Sequence, residues 1–331
     1  MKRGSGYLMP NCKQIELADK QLASEALSVD DQLRYKEVEL TDKPWMDELF
    51  AMGERGSLEY NFTSCFVWRH VYKFRVARLN DRLLLMSNPE NPTFLFPAGR
   101  GPIESAIERM ALYARAASVP LKFHTVLKKD RDWLEATYPG RFTFEDFRNG
   151  SDYVYERERL ATLKGSKLSA KRNHINRFLE NHPDWTYEPL SAANMEEARQ
   201  MNMAWCVEAS RRQEADLSDE YCAVEQALRN YDALHLSGGL IRTGGQVVAF
   251  SVGDPLNEDT FLVHFEKAFA DMQGAYPMIN KQFVLENCMD YTYINREDDT
   301  GSPGLRKAKL SYDPHHLVEK YTATLTGSLA L

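Results

Sequence analysis

Hydrophobic and polar positions in the first half of the chain predict a β-hairpin, a third strand, a helix and a fourth strand. Residues 74–79 and 82–86 are predicted to be strands on either side of the two-residue turn Asn80-Asp81, and residues 92–96 form the third strand. Apolar residues then recur at helical spacing over residues 102–117, with a proline at the start. Residues 121–126 complete this series as another strand.

The second half predicts the same elements in the same order. Residues 239–242 and 246–252 form a hairpin around Gly244-Gly245, and residues 259–265 form a third strand. A helix begins near Pro277 and runs to about residue 287, followed by a strand over 291–294. Four elements repeated in one order indicate a duplicated domain.

The two copies are predicted to close differently. After the first copy we expect a helix over 130–138 and strands over 141–147 and 153–156. After the second comes a stretch of acids, glycines and cations that matches none of these elements. An asymmetric repeat suggests that one copy holds the functional site, and we assign it to the second.

Hairpin, strand, helix and strand make a mixed α/β pattern. The pattern resembles the GNAT acyltransferase fold, so the predicted fold is two GNAT-like domains in tandem, each a mostly antiparallel mixed sheet with flanking helices. Residues 1–34 are predicted to be a mobile arm with a short helix over 15–27. Residues 35–156 form the N-terminal domain and residues 157–331 the C-terminal domain.

Composition agrees with two soluble domains. The chain has 331 residues, of which 43% are hydrophobic and 27% charged. No apolar run is long enough for a membrane span, and no apolar stretch follows the basic start, so we expect a cytoplasmic protein without a secretory signal. Five scattered cysteines without a Cys-x-x-Cys pair agree with a reducing compartment. The net charge of −7 means that any nucleic-acid surface is local.

The stretch after residue 294 carries candidate chemistry. The turn through residues 301–304 is predicted to fold three acids back against the cations that follow. Acyl transfer needs bases, cations for developing negative charge and a proton donor close together. The candidates for these roles are Glu297 and Asp298, then Arg306, Lys307 and Lys309, then Tyr312. The alternative is a surface turn tied by ion pairs.

A basic segment joins the two predicted domains. Residues 157–177 hold seven basic residues and one acid, and regularly placed leucines give the segment an apolar face. A helix capped by Ser166 or Ser169 is expected to run to about Asn181. This surface suits a polyanion, either RNA phosphates or anionic lipid headgroups. The alternative is a solvated helix face that joins two domains.

Two motifs resemble a known family. They are Leu163-Lys164-Gly165 with Lys171-Arg172-Asn173, and Asn295-x-Glu297-Asp298 with Gly304-Leu305-Arg306-Lys307-x-Lys309-x-Ser311-Tyr312-x-Pro314. Weaker support comes from residues 62–68 and from Phe96-Pro97-x-Gly99. From about residue 35 onward the chain resembles the C-terminal domain of bacterial phosphatidylglycerol lysyltransferases, the aminoacyl-phosphatidylglycerol synthases.

This resemblance implies transfer of an aminoacyl group from aminoacyl-tRNA to an acceptor, without a cofactor. The membrane enzymes use phosphatidylglycerol, and related tandem proteins use a cell-wall precursor. We expect this protein to lack the membrane-spanning half of those enzymes, which leaves the acceptor open, and we expect that it could lie at the inner membrane face as a peripheral protein.

The resemblance also implies roles for individual residues. Asp298 or Glu297 takes the acceptor's proton, Lys309 with Arg306 faces the oxyanion or a terminal phosphate, and Tyr312 returns a proton to the leaving oxygen. Glu266 binds the α-amine. The further expected substrate-binding residues are Asn295, Tyr276 and Lys307, and the expected RNA-binding residues are Lys164, Lys167, Lys171, Arg172 and Asn173.

Two other functions stay open. An N-acyltransferase that uses acetyl-CoA or another acyl-CoA needs a glycine-rich loop before its central helix, and residues 271–277 offer one glycine and a proline that lacks a donor. A non-catalytic binding module needs no cluster of acids and cations. His124 and His264 lie in apolar strands and are expected to be satisfied core or cleft residues, and His315-His316 lacks further ligands at metal spacing.

Overall fold

The structure is a computed structural model that describes residues 33–53, 55–211 and 217–327, together with Leu329. The predicted helix over 15–27 and most of the predicted arm lie outside these residues. Two sheets and the helices around them make up the described chain. Short 3₁₀ turns at Leu40–Asp42, Leu58–Tyr60 and Arg148–Gly150 join some of the elements.

The strands in chain order are β1 (Lys36–Glu37), β2 (Arg75–Leu79), β3 (Arg82–Ser87), β4 (Thr93–Phe94), β5 (Ala98–Gly99), β6 (Lys122–Leu127), β7 (Phe142–Asp146), β8 (Asp152–Glu156), β9 (Thr186–Pro189), β10 (Ser237–Thr243), β11 (Gln246–Pro255), β12 (Thr260–Ala268), β13 (Tyr293–Asn295), β14 (His316–Val318) and β15 (Lys320–Leu325).

The helices are α1 (Lys43–Met52), α2 (Phe62–Val67), α3 (Ile103–Ala116), α4 (Lys128–Thr137), α5 (Arg157–Thr162), α6 (Ser169–Asn181), α7 (Met195–Arg211), α8 (Ser218–Arg229), α9 (Tyr231–Leu234), α10 (Ala275–Asn287) and α11 (Pro303–Leu310).

The two sheets have matching strand orders. The first runs β1-β2-β3-β4-β6-β15-β7, with β5 paired to β3, and the second runs β9-β10-β11-β12-β13-β8-β14. Each sheet of the described chain has one parallel pair, which joins the strand before the central helix to the strand after it. These pairs are β4 with β6 and β12 with β13. The other neighbours in both sheets are antiparallel. The structure thus shows the predicted duplication as two copies of one sheet.

Each copy lends its last strand to the other sheet. Strand β8 lies between β13 and β14, and β15 lies between β6 and β7. The predicted boundary between residues 156 and 157 therefore separates β8 from the sheet in which it pairs, and the predicted C-terminal domain includes a strand of the first sheet. Each sheet is complete only with a strand from the other half of the sequence.

The expected asymmetry of the two closing segments is wrong. The first copy closes with α4, β7 and β8, and the second closes with α11, β14 and β15, so both follow one order of helix, strand and strand. The stretch of glycines and cations contains the helix α11. Ser302 caps this helix by accepting a hydrogen bond from the amide of Leu305, and Pro303 occupies the first turn. The acids remain as a loop between β13 and α11.

The other predicted elements agree closely with the structure. Helix α3 begins after Pro102, which is its N-cap, and α6 ends at Asn181 as expected. The predicted third strand of the first copy shortens to the two residues of β4. Helix α10 begins two residues before Pro277, after Gly274 with φ of 90°.

Three hydrophobic cores hold the fold together. One lies under α3 and α4 on the first sheet, and a second lies under α5, α6 and α10 on the second sheet. The third packs α1 and α2 of the first half against α7, α8 and the β10–β12 face of the second half. Helix α2 is buried along its whole length in this shared core. The two halves are therefore joined by packing as well as by strand exchange.

A buried ionic cluster fixes the exchanged strands. Lys320, at the start of β15, donates to Glu59 Oε1 at 2.7 Å and to Asp152 Oδ1 at 2.5 Å. Asp152, at the start of β8, accepts at its other oxygen from the amide of Leu58 at 3.0 Å and from Asn295 Nδ2 at 2.9 Å. Lys320 and Asp152 are 2% and 0% exposed, so each depends on the other for charge compensation.

Replacing Lys320 with methionine is expected to lower the free energy of unfolding by about 3–5 kcal/mol, because the buried carboxylate of Asp152 and the partly buried carboxylate of Glu59 then lack a counter-charge. Denaturant titration measures this loss. The matched control is Lys128→Met, since Lys128 pairs with Asp132 on an exposed surface. The control is expected to leave the unfolding free energy nearly unchanged, because an exposed ion pair contributes little. Equal stabilities of the two variants would contradict this role for Lys320.

Candidate functional site

The acid loop of residues 296–302 continues the line of β13 along β8. The amide of Arg296 donates to the carbonyl of Tyr153 at 3.0 Å, and the amide of Tyr153 donates to the carbonyl of Glu297 at 3.0 Å. Asn295 accepts from the amide of Glu297 at 2.8 Å, and Glu297 has a φ of 56°. Asn295 is completely buried, so its predicted place in substrate binding is occupied by structural hydrogen bonds.

Asp299 is the acid that folds back against the cations. It accepts from Arg306 Nε at 2.8 Å and Arg306 Nη2 at 2.9 Å, from Tyr153 Oη at 2.5 Å and from the amide of Gly301 at 2.9 Å. Burial raises the pKa of Asp299, but the hydrogen bonds from Arg306, Tyr153 and Gly301 outweigh it and hold the pKa far below its usual value. Arg306 is thereby committed to holding the loop.

Lys309 points into the loop from α11. Its Nζ donates to the carbonyl of Arg296 at 2.5 Å and also to the carbonyl of Asp298. Burial lowers the pKa of Lys309 to about 8, although the charge of Glu297 favours the protonated form. A lysine with three N–H donors thus clamps two carbonyl groups and has one donor left over from these bonds.

His264 ties the acid loop to the shared core. Its Nδ1 lies 3.1 Å from Glu297 Oε1 and its Nε2 lies 2.9 Å from Asp254 Oδ1. Asp254 also accepts from Asn61 Nδ2 at 2.9 Å and from Thr63 Oγ1 at 2.5 Å, at the start of α2. Burial opposes protonation of His264, but the two carboxylates prevail and raise its pKa to about 9. Glu297 is therefore paired with an imidazolium.

Asp298 is the acid of the loop that faces open space. Its carboxylate accepts from the amide of Thr300 at 3.0 Å, and its side chain lines a cavity of about 390 Å³. Burial raises the pKa of Asp298 to about 6, while the charge of Lys320 pulls it down and that of Asp152 pushes it up. The group is ionised at neutral pH and takes up a proton under mildly acidic conditions.

The cavity lies in the first half, where β4 and β6 diverge. These strands pair only at Phe94 and Phe123, and beyond this point Leu95, His124 and Thr125 line the opening. Thr125 has a φ of 58°, which is unusual for a β-branched residue, and β6 has an extra residue opposite β15 at this position. The bulge bends β6 away from β4 and opens the wedge.

The equivalent wedge in the second half is bridged by ion pairs between side chains. Beyond the last pair between β12 and β13, Glu266 Oε1 lies 2.8 Å from Arg296 Nη2, and His264 Nδ1 lies 3.1 Å from Glu297 Oε1. Asn280 donates to the other oxygen of Glu266 at 2.8 Å. Glu266, expected to bind an α-amine, is therefore engaged in an internal ion pair.

Tyr312, Lys171 and Tyr276 lie behind the acid loop. Tyr312 is 5% exposed, with the guanidinium of Arg296 4.6 Å and Nζ of Lys171 4.0 Å from its ring centre. Burial raises the pKa of Tyr312 above its usual value, so its hydroxyl stays protonated. Tyr276 accepts from Trp205 Nε1 at 3.1 Å. None of these three residues lines the cavity.

The predicted polyanion-binding residues divide into two groups. Lys164, Lys167 and Asn173 are exposed, whereas Lys171 is half-buried and Arg172 donates to the carbonyls of Leu163 and Gly165. Burial lowers the pKa of Lys171 to about 8, and the neighbouring charge of Arg296 adds to this effect. Lys307, expected to bind substrate, is exposed on α11.

Sequence reasoning missed the part of the site that the first half contributes. Glu59, Ser64 and Trp68 line the cavity, and they come from a stretch in which no element was predicted. The run of apolar residues with interspersed polar ones over residues 60–67 was the available signal. The expectation that His264 is a satisfied histidine is correct, but its partners, Asp254 and Glu297, are far apart in the sequence.

Comparison with known proteins places this architecture in a class. The structure of a conserved protein of unknown function from Bacteroides thetaiotaomicron VPI-5482 is 37% identical, with a TM-score of 0.84 over 89% of this chain and 100% of that chain. The DUF2156 C-terminal domain of an Agrobacterium fabrum protein, named for lysylphosphatidylglycerol synthetase, is 13% identical, with a TM-score of 0.60 over 87% of this chain and 93% of that one. L-PGS from Bacillus licheniformis is 18% identical, with a TM-score of 0.54 over 75% of this chain and 82% of that one.

The fold and its structural relatives confirm the predicted tandem GNAT-like α/β fold. Residues 50–324 match the family model described as phosphatidylglycerol lysyltransferase, C-terminal. The chain belongs to this family, as its two motifs suggested, and the family indicates an acyltransferase. No helix in the part of the chain that the structure describes is both long and apolar enough to cross a membrane.

The charge of His264 is expected to make stability depend on pH. Its pKa is raised from 6.5 to about 9, so its contribution is complete below pH 6.5 and is lost as the pH rises through 9. The shift corresponds to about 3 kcal/mol. The unfolding free energies of wild type and His264→Asn are measured at pH 6 and at pH 9.5. The difference between the two proteins should be smaller at pH 9.5 by this amount.

Comparing wild type with His264→Asn separates this effect from other groups that titrate in the same range, such as Lys309. His315→Asn is the control, because His315 is exposed. A stability difference between wild type and His264→Asn that stays constant from pH 6 to pH 9.5 would show that His264 is not charged in the folded protein.

Proposed function

We propose that the protein transfers an aminoacyl group from aminoacyl-tRNA to a lipid or other small acceptor by direct attack on the ester. The observation that carries this proposal is the position of Asp298, an ionised carboxylate held on a clamped loop at the edge of the apolar cavity of the first half. The related synthetases are named for lysylphosphatidylglycerol, and this supports an aminoacyl donor and a lipid-type acceptor here.

The proposed reaction needs no covalent intermediate, since the aminoacyl ester is already activated. The acceptor hydroxyl or amine attacks the ester carbonyl, and Asp298 takes the proton that the acceptor loses. The tetrahedral intermediate then collapses, the bond to the ribose oxygen breaks, and the proton on Asp298 returns to that oxygen. The products are the aminoacylated acceptor and free tRNA.

Glu297 serves this reaction indirectly. Its pairing with His264 leaves Asp298 as the base, and the bond from Lys309 to the carbonyl of Asp298 fixes that base in position. Lys309 does not line the cavity, so its proposed part is to hold the carbonyl of Asp298 rather than to meet the oxyanion. Arg306 and Tyr312, proposed from the sequence for direct roles, support the loop through Asp299 and Arg296.

The exposed part of the basic segment supports RNA as the donor's carrier. Lys164, Lys167 and Asn173 lie on the surface at the start of α6, whereas Lys171 and Arg172 are engaged within the protein. Phosphate contacts by exposed lysines position an RNA backbone without reading its sequence. We therefore assign the outer residues to RNA contact, whereas Lys171 holds α6 against Tyr312 and Arg172 binds the carbonyls of Leu163 and Gly165.

The acyl-CoA alternative has less support from the second half. A side chain at Gly274 would lie 2.1 Å from the carbonyl oxygen of His174, so α6 packs directly against the backbone where α10 begins. A pyrophosphate needs open amide groups at such a helix start. The ion pairs of Glu266 and His264 also close the wedge of this half.

The test measures binding of charged tRNA, uncharged tRNA and acetyl-CoA at two salt concentrations, followed by transfer of a radiolabelled aminoacyl group to extracted lipids. Salt-sensitive tRNA binding with transfer is expected. Tight acetyl-CoA binding without tRNA binding would replace the proposal by the acyl-CoA reaction. Binding of tRNA without any transfer to an acceptor would favour a binding module.

Replacing Asp298 with asparagine is expected to lower kcat by about a hundredfold to ten-thousandfold with little change in tRNA affinity, because the general base is lost. The wild-type rate should rise with pH through about 6, as Asp298 ionises, and decline above about 8, as Lys309 loses its proton. Asp290→Asn, at an exposed acid close in sequence, is the control. Retention of the full rate in Asp298→Asn would rule out this base.

Removing the exposed lysines together, Lys164→Ala and Lys167→Ala, is expected to weaken tRNA binding and to reduce its salt dependence by about one contact per lysine. The double variant is compared with Lys128→Ala. Lys128 and Lys167 are similarly exposed, at 68% and 72%, and each pairs with an aspartate. Equal salt dependence in all three proteins would place the RNA elsewhere.

A further inference from the structure

The wedge cavity of the first half has the features of a ligand site. Its walls are mainly apolar, formed by side chains such as Trp68, Phe74, Leu85 and Phe147. The hydroxyl of Ser64 lies buried in this lining, and it has no hydrogen-bond partner among the residues that the structure describes. A buried hydroxyl without a partner is costly, so a ligand group that bonds to it is favoured.

The size of the cavity limits the ligand. A volume of about 390 Å³ holds roughly a dozen non-hydrogen atoms, at the ~30 Å³ that a water molecule takes in the liquid. This is enough for one medium-length chain or a pair of rings. A lipid with two long chains could place only part of one chain inside.

The charges at the cavity limit the ligand further. Its ionic groups are the carboxylates of Glu59 and Asp298, and no lysine or arginine lines it within the described part of the chain. His124 also lines it, and burial lowers the pKa of His124 to about 4, so the imidazole is neutral. Lys320 is near, but it is fully buried and bonded to Glu59 and Asp152. An anionic headgroup would meet the carboxylates of Glu59 and Asp298, and Lys320, the cation bonded to Glu59, is too deeply buried to contact it.

We propose that this cavity is the acceptor site and that it takes a single apolar chain or ring system bearing a hydroxyl or amino group, rather than an anionic headgroup. The proposal rests on the transferase function given above and names its acceptor class. The apolar body lies between Trp68 and Phe147, and the nucleophilic group lies toward Asp298, where its proton is taken. Ser64 and His124 are positioning residues for the polar part of the acceptor.

Three molecules of equal chain length test the charge selection. Decanol, decylamine and decanoate differ only in the head group. Their binding to the full chain is measured by titration calorimetry and by tryptophan fluorescence. The variant Trp68→Phe identifies the part of the fluorescence signal that comes from Trp68. Decanol and decylamine are expected to bind at least about tenfold more tightly than decanoate. Equal or tighter binding of decanoate would overturn the proposal.

Two variants test the location. Asp298→Asn is expected to weaken the binding of decylamine by about tenfold and to strengthen the binding of decanoate, because the carboxylate is gone. Ser64→Met fills the cavity from α2 and should abolish binding of all three probes, and its fold is checked by circular dichroism. If Ser64→Met does not fold, the Asp298→Asn result decides alone. Unchanged probe binding in a folded Ser64→Met or in Asp298→Asn would place the site elsewhere.

Binding and transfer are then compared, so that the two proposals fail separately. Selective binding of decanol and decylamine without aminoacyl transfer would keep the cavity as a ligand site and reject the transferase. Transfer to extracted lipid by a Ser64→Met protein that no longer binds the probes would keep the transferase and reject the cavity as its acceptor site.

Discussion

The buried cluster of Lys320, Glu59 and Asp152 is the interaction on which the arrangement of the two halves depends. Each of its members comes from a different part of the chain: the segment before α2, the start of β8 and the start of β15. Charges in such a place are tolerated only when paired, so the cluster penalises any pairing that leaves one member alone. In a duplicated fold, the last strand of each copy could pair with either sheet. This penalty favours pairing with the sheet of the other copy.

The two copies differ at the wedge, and the exchanged strands join the two different wedges. A bulge at Thr125 opens the first wedge, whereas pairs from Glu266 and His264 close the second. The open wedge supplies space and the closed one supplies a rigid acid loop. Since strand β8 borders that loop and β15 borders the bulged strand, the exchanged strands hold the two parts in one site.

The sequence allowed the repeated elements to be predicted because each has a local pattern. The hairpins of β2–β3 and β10–β11 have turns with characteristic residues, and α3 has a proline at its start. The sequence did not predict helix α11, because glycine and proline in its first turn favour a loop. In the structure Ser302 is the N-cap that stabilises the helix. The strand exchange depends on pairs such as Lys320 with Asp152, which no local pattern records.

The site was predictable in part for the same reason. The acids and cations after residue 294 are contiguous, so their proximity followed from one turn. The turn did not predict which acid faces open space, because that depends on partners elsewhere in the sequence. Arg306 and Tyr153 donate hydrogen bonds to Asp299, and His264 pairs with Glu297. Asp298 is left by elimination, and spacing alone ranks it no higher than its neighbours.

The ionic cluster and the candidate base are linked through one charge. Burial raises the pKa of Asp298, and the charge of Lys320 is the main influence that lowers it again, with Asp152 acting in the opposite sense. The lysine that completes the exchanged strand therefore also keeps the base ionised near neutral pH. A change that broke the strand exchange would move this pKa even if the acid loop stayed in place, and so the fold and the proposed chemistry share one buried charge.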